Sequence, residues 1–200
     1  MMKYEIYTIG YTAFDEHMFI KVLKDYNISC IIDVRSYPVA SEYYKIYSRN
    51  NLEPLLKKNN IIYRNYAKEF GARQENKIYY TSEGYLDFFK FTQSPEFNEG
   101  VNKIKKGIEL NYNFALMCAE KDPINCHRAI MVARELYNRG FIVHHILSSC
   151  KTESQEDLEK RLLDFYKIQP SFLVSVKEQI LEAYKRKNQE IGYRGDQKYD

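Results

Sequence analysis

The stretch from Asn113 to Leu147, NFALMCAEKDPINCHRAIMVARELYNRGFIVHHIL, constrains this chain more than any other. Apolar runs at Phe114–Met117 and Phe141–Leu147 have strand length, and a helical segment near Cys126–Asn138 lies between them, stopped by Gly140. A strand–helix–strand unit of this spacing is a crossover, which joins parallel strands. Where its first strand ends, the sequence turns from apolar to chemical, with Cys118, Glu120, Asp122, Cys126, His127 and Arg128. Ligands of open parallel sheets bind beyond the carboxyl ends of the strands, so these side chains stand where a site belongs.

The rest of the chain repeats the alternation. Tyr4–Ile9 reads as a strand closed by Gly10, and Phe14, Met18, Val22 and Leu23 give a helix near Phe14–Asp25. Ser29–Val34 is a second strand, ending in Asp33 and Arg35. Leu52, Leu55 and Leu56 mark a short helix, and Ile61–Tyr63 a third strand. Tyr66 to Ser82 has no period and carries Lys68, Glu69, Gly71, Arg73 and Lys77; a loop this long is often a lid or binding loop. Gly84–Phe91 and Pro95–Leu110 read as helices. After His145 come two amphipathic helices, one through Leu158, Leu162 and Phe165, the other through Leu173, Val176, Ile180 and Tyr184, split at Pro170. The charged tail from Lys187 is expected to fray.

The expectation is an α/β domain over residues 1–150, with an open, mainly parallel, Rossmann-like sheet of about five strands flanked by helices. A helical extension and tail over 151–200 belong to the same structural unit. A chain of 200 residues suits one well-buried domain, and 44% hydrophobic with 28% charged residues is ordinary for a soluble protein. The net charge of +3 makes no strong case for nucleic acid or a membrane surface, and leaves phosphorylated ligands open. Nineteen Tyr can stack on bases or sugars, or simply fill half-buried positions. The four Cys, at 30, 118, 126 and 150, form no CxxC pair and no disulfide framework. No apolar run is long enough for a bilayer and no signal-type leader opens the chain, so a cytoplasmic protein with reduced thiols and no membrane partner is expected.

Three strand ends should converge: Gly10, the Asp33/Arg35 pair, and the loop from Cys118 to Arg128. Gly10 admits close approach of a ligand or a neighbouring loop, or is an ordinary turn. Asp33 and Arg35 flank Val34 and share a face, so one can position a hydroxyl or water while the other holds an anion. A structural ion pair is the plainer alternative. Asn125 suits an N-cap, which places Cys126, His127 and Arg128 in the first helical turn, an anion site. Arg128 there opposes the helix dipole, at a cost of a few tenths of a kcal/mol that a bound anion would offset. The same setting favours a Cys126 thiolate, and Glu120 and Asp122 are candidate general bases. The plainer alternatives are a buried small Cys, a surface His and a solvating Glu. Cys118, Cys126 and His127 are potential metal ligands, but neighbours 126 and 127 point apart on a helix and no CxxC or HxxxH completes a site, so no metal is assigned. His144 and His145 alternate on a strand, so at most one reaches the site. No cofactor is evident.

These motifs, TIGYT near the start, IIDVRSYP after the first helix, and LMCAEKDPINCHR before the helix that leads to GFIVHHIL, resemble the family called domain of unknown function 488, from roughly Tyr4 to Leu147. The resemblance puts the family's motif positions on Gly10, Asp33, Arg35, Pro38, Cys118, Glu120, Cys126, His127 and Arg128. The segment EFGAR departs from a Leu-Gly-Gly form, with Phe70 for Leu and Ala72 for the second Gly. What it implies is a site map rather than a reaction. A weaker likeness is to rhodanese-type domains, which share a strand ending in Asp-Val-Arg and a strand-ending Cys before a helix, although the loop here is longer.

Three functions are in view. The first is an enzyme or binder acting on a phosphate-bearing ligand, a nucleotide or nucleic-acid fragment. Arg35, Arg128 and the helix start would hold the anion, and Glu120 or Asp33 would activate water or orient a hydroxyl. The second is a thiol or sulfur-transfer enzyme with Cys118 or Cys126 as nucleophile and His127 as base. The third is a non-catalytic interaction module for protein or nucleic acid. A homodimer through the C-terminal helices is a further expectation.

Overall fold

In the computed structural model, which describes residues 4–170 and 173–195, the strands are β1 (Glu5–Gly10), β2 (Cys30–Asp33), β3 (Ile62–Asn65), β4 (Phe114–Cys118), β5 (Ile142–Ile146) and β6 (Thr152–Ser154). They form one sheet in the order β3-β2-β4-β1-β5-β6. All neighbours are parallel except β5 and β6. The helices are α1 (Glu16–Asp25), α2 (Arg49–Lys58), α3 (Ala67–Phe70), α4 (Phe88–Phe91), α5 (Pro95–Glu109), α6 (Arg134–Asn138), α7 (Gln155–Phe165) and α8 (Val176–Ile191).

Continuous apolar runs make β2 and β4 central, because a parallel strand covered on both faces needs no polar side. Their side chains divide between two cores. Ile31 and Met117 pack with Phe19, Val22 and Leu23 of α1 and Leu52 and Leu56 of α2. Ile32 and Leu116 pack on the other face with Val101 and Ile104 of α5 and Leu136 of α6. The chain leaves β1 through α1 on one face and leaves β4 through α6 on the other. Adjacent strands whose connections part in this way open a crevice at their carboxyl ends. Gly10 lies opposite Cys118 and Asp33 opposite Met117, so the three expected strand ends do converge.

The structure differs from the sequence expectation at several points. A sixth strand lies within residues 151–200: Thr152–Ser154, a polar edge strand with no apolar signal. Tyr66 to Ser82 is not structureless, since α3 buries Phe70 against Phe97, and a tight turn spans Lys77–Tyr79. A four-residue helix is too short to show a period. The tail does not fray at Lys187. That side chain is fully buried, α8 continues to Ile191, and Leu86 N–H donates to the Tyr193 carbonyl. Residues 196–200 lie outside the described residues. Among the described residues no helix is long and apolar enough to cross a membrane.

A buried polar chain ties the last helices to the sheet. Thr8 Oγ1 and His145 Nδ1 are 2.9 Å apart, His145 Nε2 and Gln155 Oε1 3.0 Å. Gln155 Nε2 donates to Tyr184 Oη, which donates to Glu159. Because the Gln155 amide nitrogen is spent on Tyr184, its oxygen accepts from His145 Nε2–H, and Nδ1 accepts from Thr8. The imidazole is therefore held neutral, and burial with the nearby Arg128 charge pushes its pKa down to about 3. The unfolded histidine takes up its proton near pH 6.5, the folded one only near 3, so this group's stabilisation is complete above pH 6.5 and declines as pH falls towards 3. Urea midpoints should drop between pH 7 and 5, with up to about 1.4 kcal/mol per pH unit from this histidine. His145→Gln should flatten that slope; an equal slope in the variant would assign the loss to other groups.

Candidate functional site

The loop after β4 takes its shape from Pro123. Asp122 caps the tight turn Pro123–Asn125 by accepting the Ile124 N–H, and Arg161 grips the same carboxylate at 2.8 and 2.9 Å. Burial opposes ionisation of Asp122, but Arg161 and the Ile124 N–H hold it below the usual carboxylate range. Asn125 thus belongs to this turn and is not the helix cap. Cys126 is extended, His127 already has helical dihedrals, and a wide π-type segment, Arg128–Ala133, leads on into α6. The Ala129 and Ile130 N–H groups both donate to the Cys126 carbonyl at 3.0 Å, the first hydrogen bonds of the helix.

Arg128 also departs from expectation. It is fully buried, and its Nη1 donates to the Glu120 carbonyl at 2.7 Å, while Nε and Nη2 have no hydrogen-bond partner. A Cβ on Gly10 would stand 1.9 Å from that carbonyl oxygen and 3.1 Å from Arg128 Nη2. Gly10 is therefore required by the protein's own loop, and Arg128 holds that loop from behind instead of lining the crevice.

The folded-back loop gathers four chemical side chains, Cys118, Glu120, Cys126 and His127. Cys126 Sγ and Glu120 Oε2 lie 2.8 Å apart, and Cys118 Sγ is 3.8 Å from His127 Nδ1. His127 Nε2 donates to the Val34 carbonyl at 3.0 Å, which ties the loop to the end of β2. Both sulfurs and a His127 nitrogen lie within 4.8 Å of one another. The expectation that residues 126 and 127 point apart fails because Cys126 is extended rather than helical. The hydrogen bond to Cys126 and burial raise the Cys118 thiol. Burial works against a Cys126 thiolate, but Cys118, Arg128 and His127 together lower its pKa. Burial would depress His127, yet Cys126 and Glu120 keep it above the ordinary value. Glu120 is raised by burial first and by Cys126 second.

Arg35 forms the opposite wall. Its Nε and Nη2 donate to the two Asp33 oxygens at 2.9 and 2.6 Å, Nη2 also reaches the Tyr47 carbonyl, and Tyr63 donates to Asp33 Oδ2 at 2.7 Å. Both carboxylate oxygens of Asp33 are thereby engaged, so Asp33 positions Arg35. The guanidinium lies 5.0 Å over the Tyr11 ring, which stacks on Tyr47. Burial disfavours its charge, but Asp33 more than restores it.

Between these walls is a cleft of about 320 Å³. Arg35, Cys118, Glu120 and His127 line it; Gly10, Asp33, Cys126 and Arg128 support it from behind. Pro38 accepts the Arg49 N–H at the turn beyond. Neither His144 nor His145 is part of the lining. Tyr11, Tyr37, Arg73 and Tyr193 also line the cleft, and sequence reasoning did not place them there. Arg73 lies over the rings of Tyr37 (5.1 Å) and Tyr193 (4.6 Å). Its loop was marked by length and charge, whereas Tyr193 left no local signal.

The fold and site define a class: an α/β protein with a Cys–Glu–Cys–His–Arg loop at the switch point of a parallel sheet. Residues 16–134, more than half of the chain, match the family described as Domain of unknown function DUF488, and the chain belongs to that family. No curated protein and no solved structure gives a match.

Gly10→Ala should force the Glu120 carbonyl away from Arg128 and lower stability by about 1–3 kcal/mol, measured by urea denaturation. A variant as stable as the parent would show that the loop can yield without cost.

Proposed function

We propose that the cleft binds and acts on a phosphate-bearing ligand of the nucleotide class, with Arg35 in the anion-holding role. The observation that carries this reading is Arg35 Nη1, a buried donor with no protein partner on a residue that lines the cleft. Asp33 and Tyr11 hold the guanidinium in a fixed plane, so the cost of ordering a phosphate-binding group is met before the ligand arrives. Arg73 adds a second positive charge on the same wall, and the exposed Tyr37 and half-buried Tyr193 rings offer stacking surface for a base or sugar. On the floor, Cys118, Glu120 and His127 supply groups able to move a proton or hold a reacting atom.

Thermal-shift and calorimetric titrations with inorganic phosphate, nucleoside monophosphates and short oligonucleotides test the proposal. At least one of them should stabilise the protein, and Arg73→Ala and Arg35→Lys should each weaken its binding tenfold or more. Arg35→Lys keeps the charge beside Asp33 but loses the planar fork. The reading fails if none of these ligands shifts the melting temperature at millimolar concentration.

A further inference from the structure

We propose that Cys118, Cys126 and His127 hold one borderline-soft divalent cation of the zinc type, with a fourth coordination position open to the cleft. The proposal stands apart from the identity of the cleft ligand. Tetrahedral zinc, with bonds of about 2.3 Å to sulfur and about 2.1 Å to nitrogen, sets sulfur and nitrogen roughly 3.6 Å apart along one edge. Cys118 Sγ and His127 Nδ1 are 3.8 Å apart, and the two sulfurs and a His127 nitrogen lie within 4.8 Å of one another. Small rotations of the side chains complete the geometry.

Three further observations favour a cation over a lone nucleophile. First, His127 Nε2 donates to the Val34 carbonyl, so that in the neutral ring it is Nδ1, 3.8 Å from Cys118 Sγ, that carries the lone pair. Ligating histidines are oriented by such a second hydrogen bond. Second, the thiols are only 3% and 1% exposed. A nucleophilic thiol needs access, whereas a chelating one does not. Third, the buried Arg128 keeps Nε and Nη2 unpartnered beside a loop whose two thiolates would give that charge a counterpart. Loading releases to solvent whatever protons the two sulfurs and His127 Nδ1 carry, in exchange for one dication, and no electron changes hands.

Cys118 and His127 line the cleft together with Arg35, so a position left free by the three protein ligands would be reached from the cleft. Three ligands with one open position is the arrangement of catalytic rather than structural zinc. Glu120, whose Oε2 is 2.8 Å from Cys126 Sγ and which lines the same cleft, would be the carboxylate at hand to take a proton from water activated there.

The test uses the full chain, stripped of metal by a chelator under reducing conditions and titrated with cobalt(II), then zinc(II). One cobalt per chain should bind, with a thiolate-to-cobalt charge-transfer band and visible bands of tetrahedral intensity, and zinc should displace it. Cys118→Ser and Cys126→Ser should each weaken binding at least tenfold, and Cys150→Ser should leave it unchanged. Native mass spectrometry of the unaltered protein should show one zinc per chain after loading, a measurement that does not depend on the variants folding. A cobalt spectrum without thiolate bands, or no zinc retained by the unaltered chain, overturns the proposal. Nucleotide-induced melting shifts of the metal-free protein report separately on the cleft, so failure of one reading is distinguishable from failure of the other.

Discussion

The contact on which the site depends is the hydrogen bond from the buried Arg128 guanidinium to the Glu120 carbonyl, made against the bare Cα of Gly10. An isolated charge inside a protein is costly unless it is hydrogen-bonded, and this one has a single partner among the side-chain and carbonyl groups around it. The contact makes the chain double back after β4. Glu120 is drawn over the end of β1, and the return of the loop sets Cys126 and His127 beside Cys118. The parallel register that puts Gly10 opposite Cys118 fixes the height at which this happens. A side chain on residue 10 would occupy the place of the carbonyl, so a glycine in the first strand governs the geometry of cysteines more than a hundred residues away.

The two arginines of the site show how much their surroundings decide. Arg35 is neutralised within its own strand end by Asp33, oriented by an aromatic ring below it, and left with one free donor at the cleft. Arg128 has no carboxylate partner among the described residues and does not line the cleft. Sequence gave both the same reading, since each is a basic residue at a strand or helix end. Which of them can meet a ligand depends on the direction of the side chain, and that is set by packing. For Arg35 the alternating geometry of an extended chain was enough to predict a shared face with Asp33. For Arg128 the deciding event lay upstream, at Pro123.

That event was partly legible. Asp122 followed by Pro123 is the signature of a capped turn, with the proline at the position whose N–H has no partner. Asn125 competed with it as a cap, and the turn won because Arg161, from α7, anchors Asp122 through two hydrogen bonds. The central strands β2 and β4 were legible for a stronger reason. Strands covered on both faces are apolar nearly throughout, and short runs such as CIID and FALMC, bounded by polar residues, are what that leaves. The sixth strand was hidden because Thr-Glu-Ser at a sheet edge has half its surface in water and needs no such run. Tyr193 was hidden for a different reason: its place is fixed by the bond from Leu86, and a contact across that separation has no local trace.

The span matched to the family, residues 16–134, contains the Cys–Glu–Cys–His–Arg loop and the Asp33/Arg35 pair but not the whole cleft. Gly10 and Tyr11 precede it, and Tyr193 follows it. β5, β6, α7 and α8 also lie beyond it, and the two helices are joined to the sheet by the His145–Gln155–Tyr184 chain as well as by apolar contact. The same helices carry Arg161, which anchors the loop, and end beside the cleft wall at Ile191 and Tyr193. The chemical floor is thus built from the matched span and braced from outside it, while part of the wall that would select a ligand comes from the tail. The cysteine and histidine positions of that floor are themselves held by Gly10 and Asp122, at a strand end and a turn far from residue 193 in the chain.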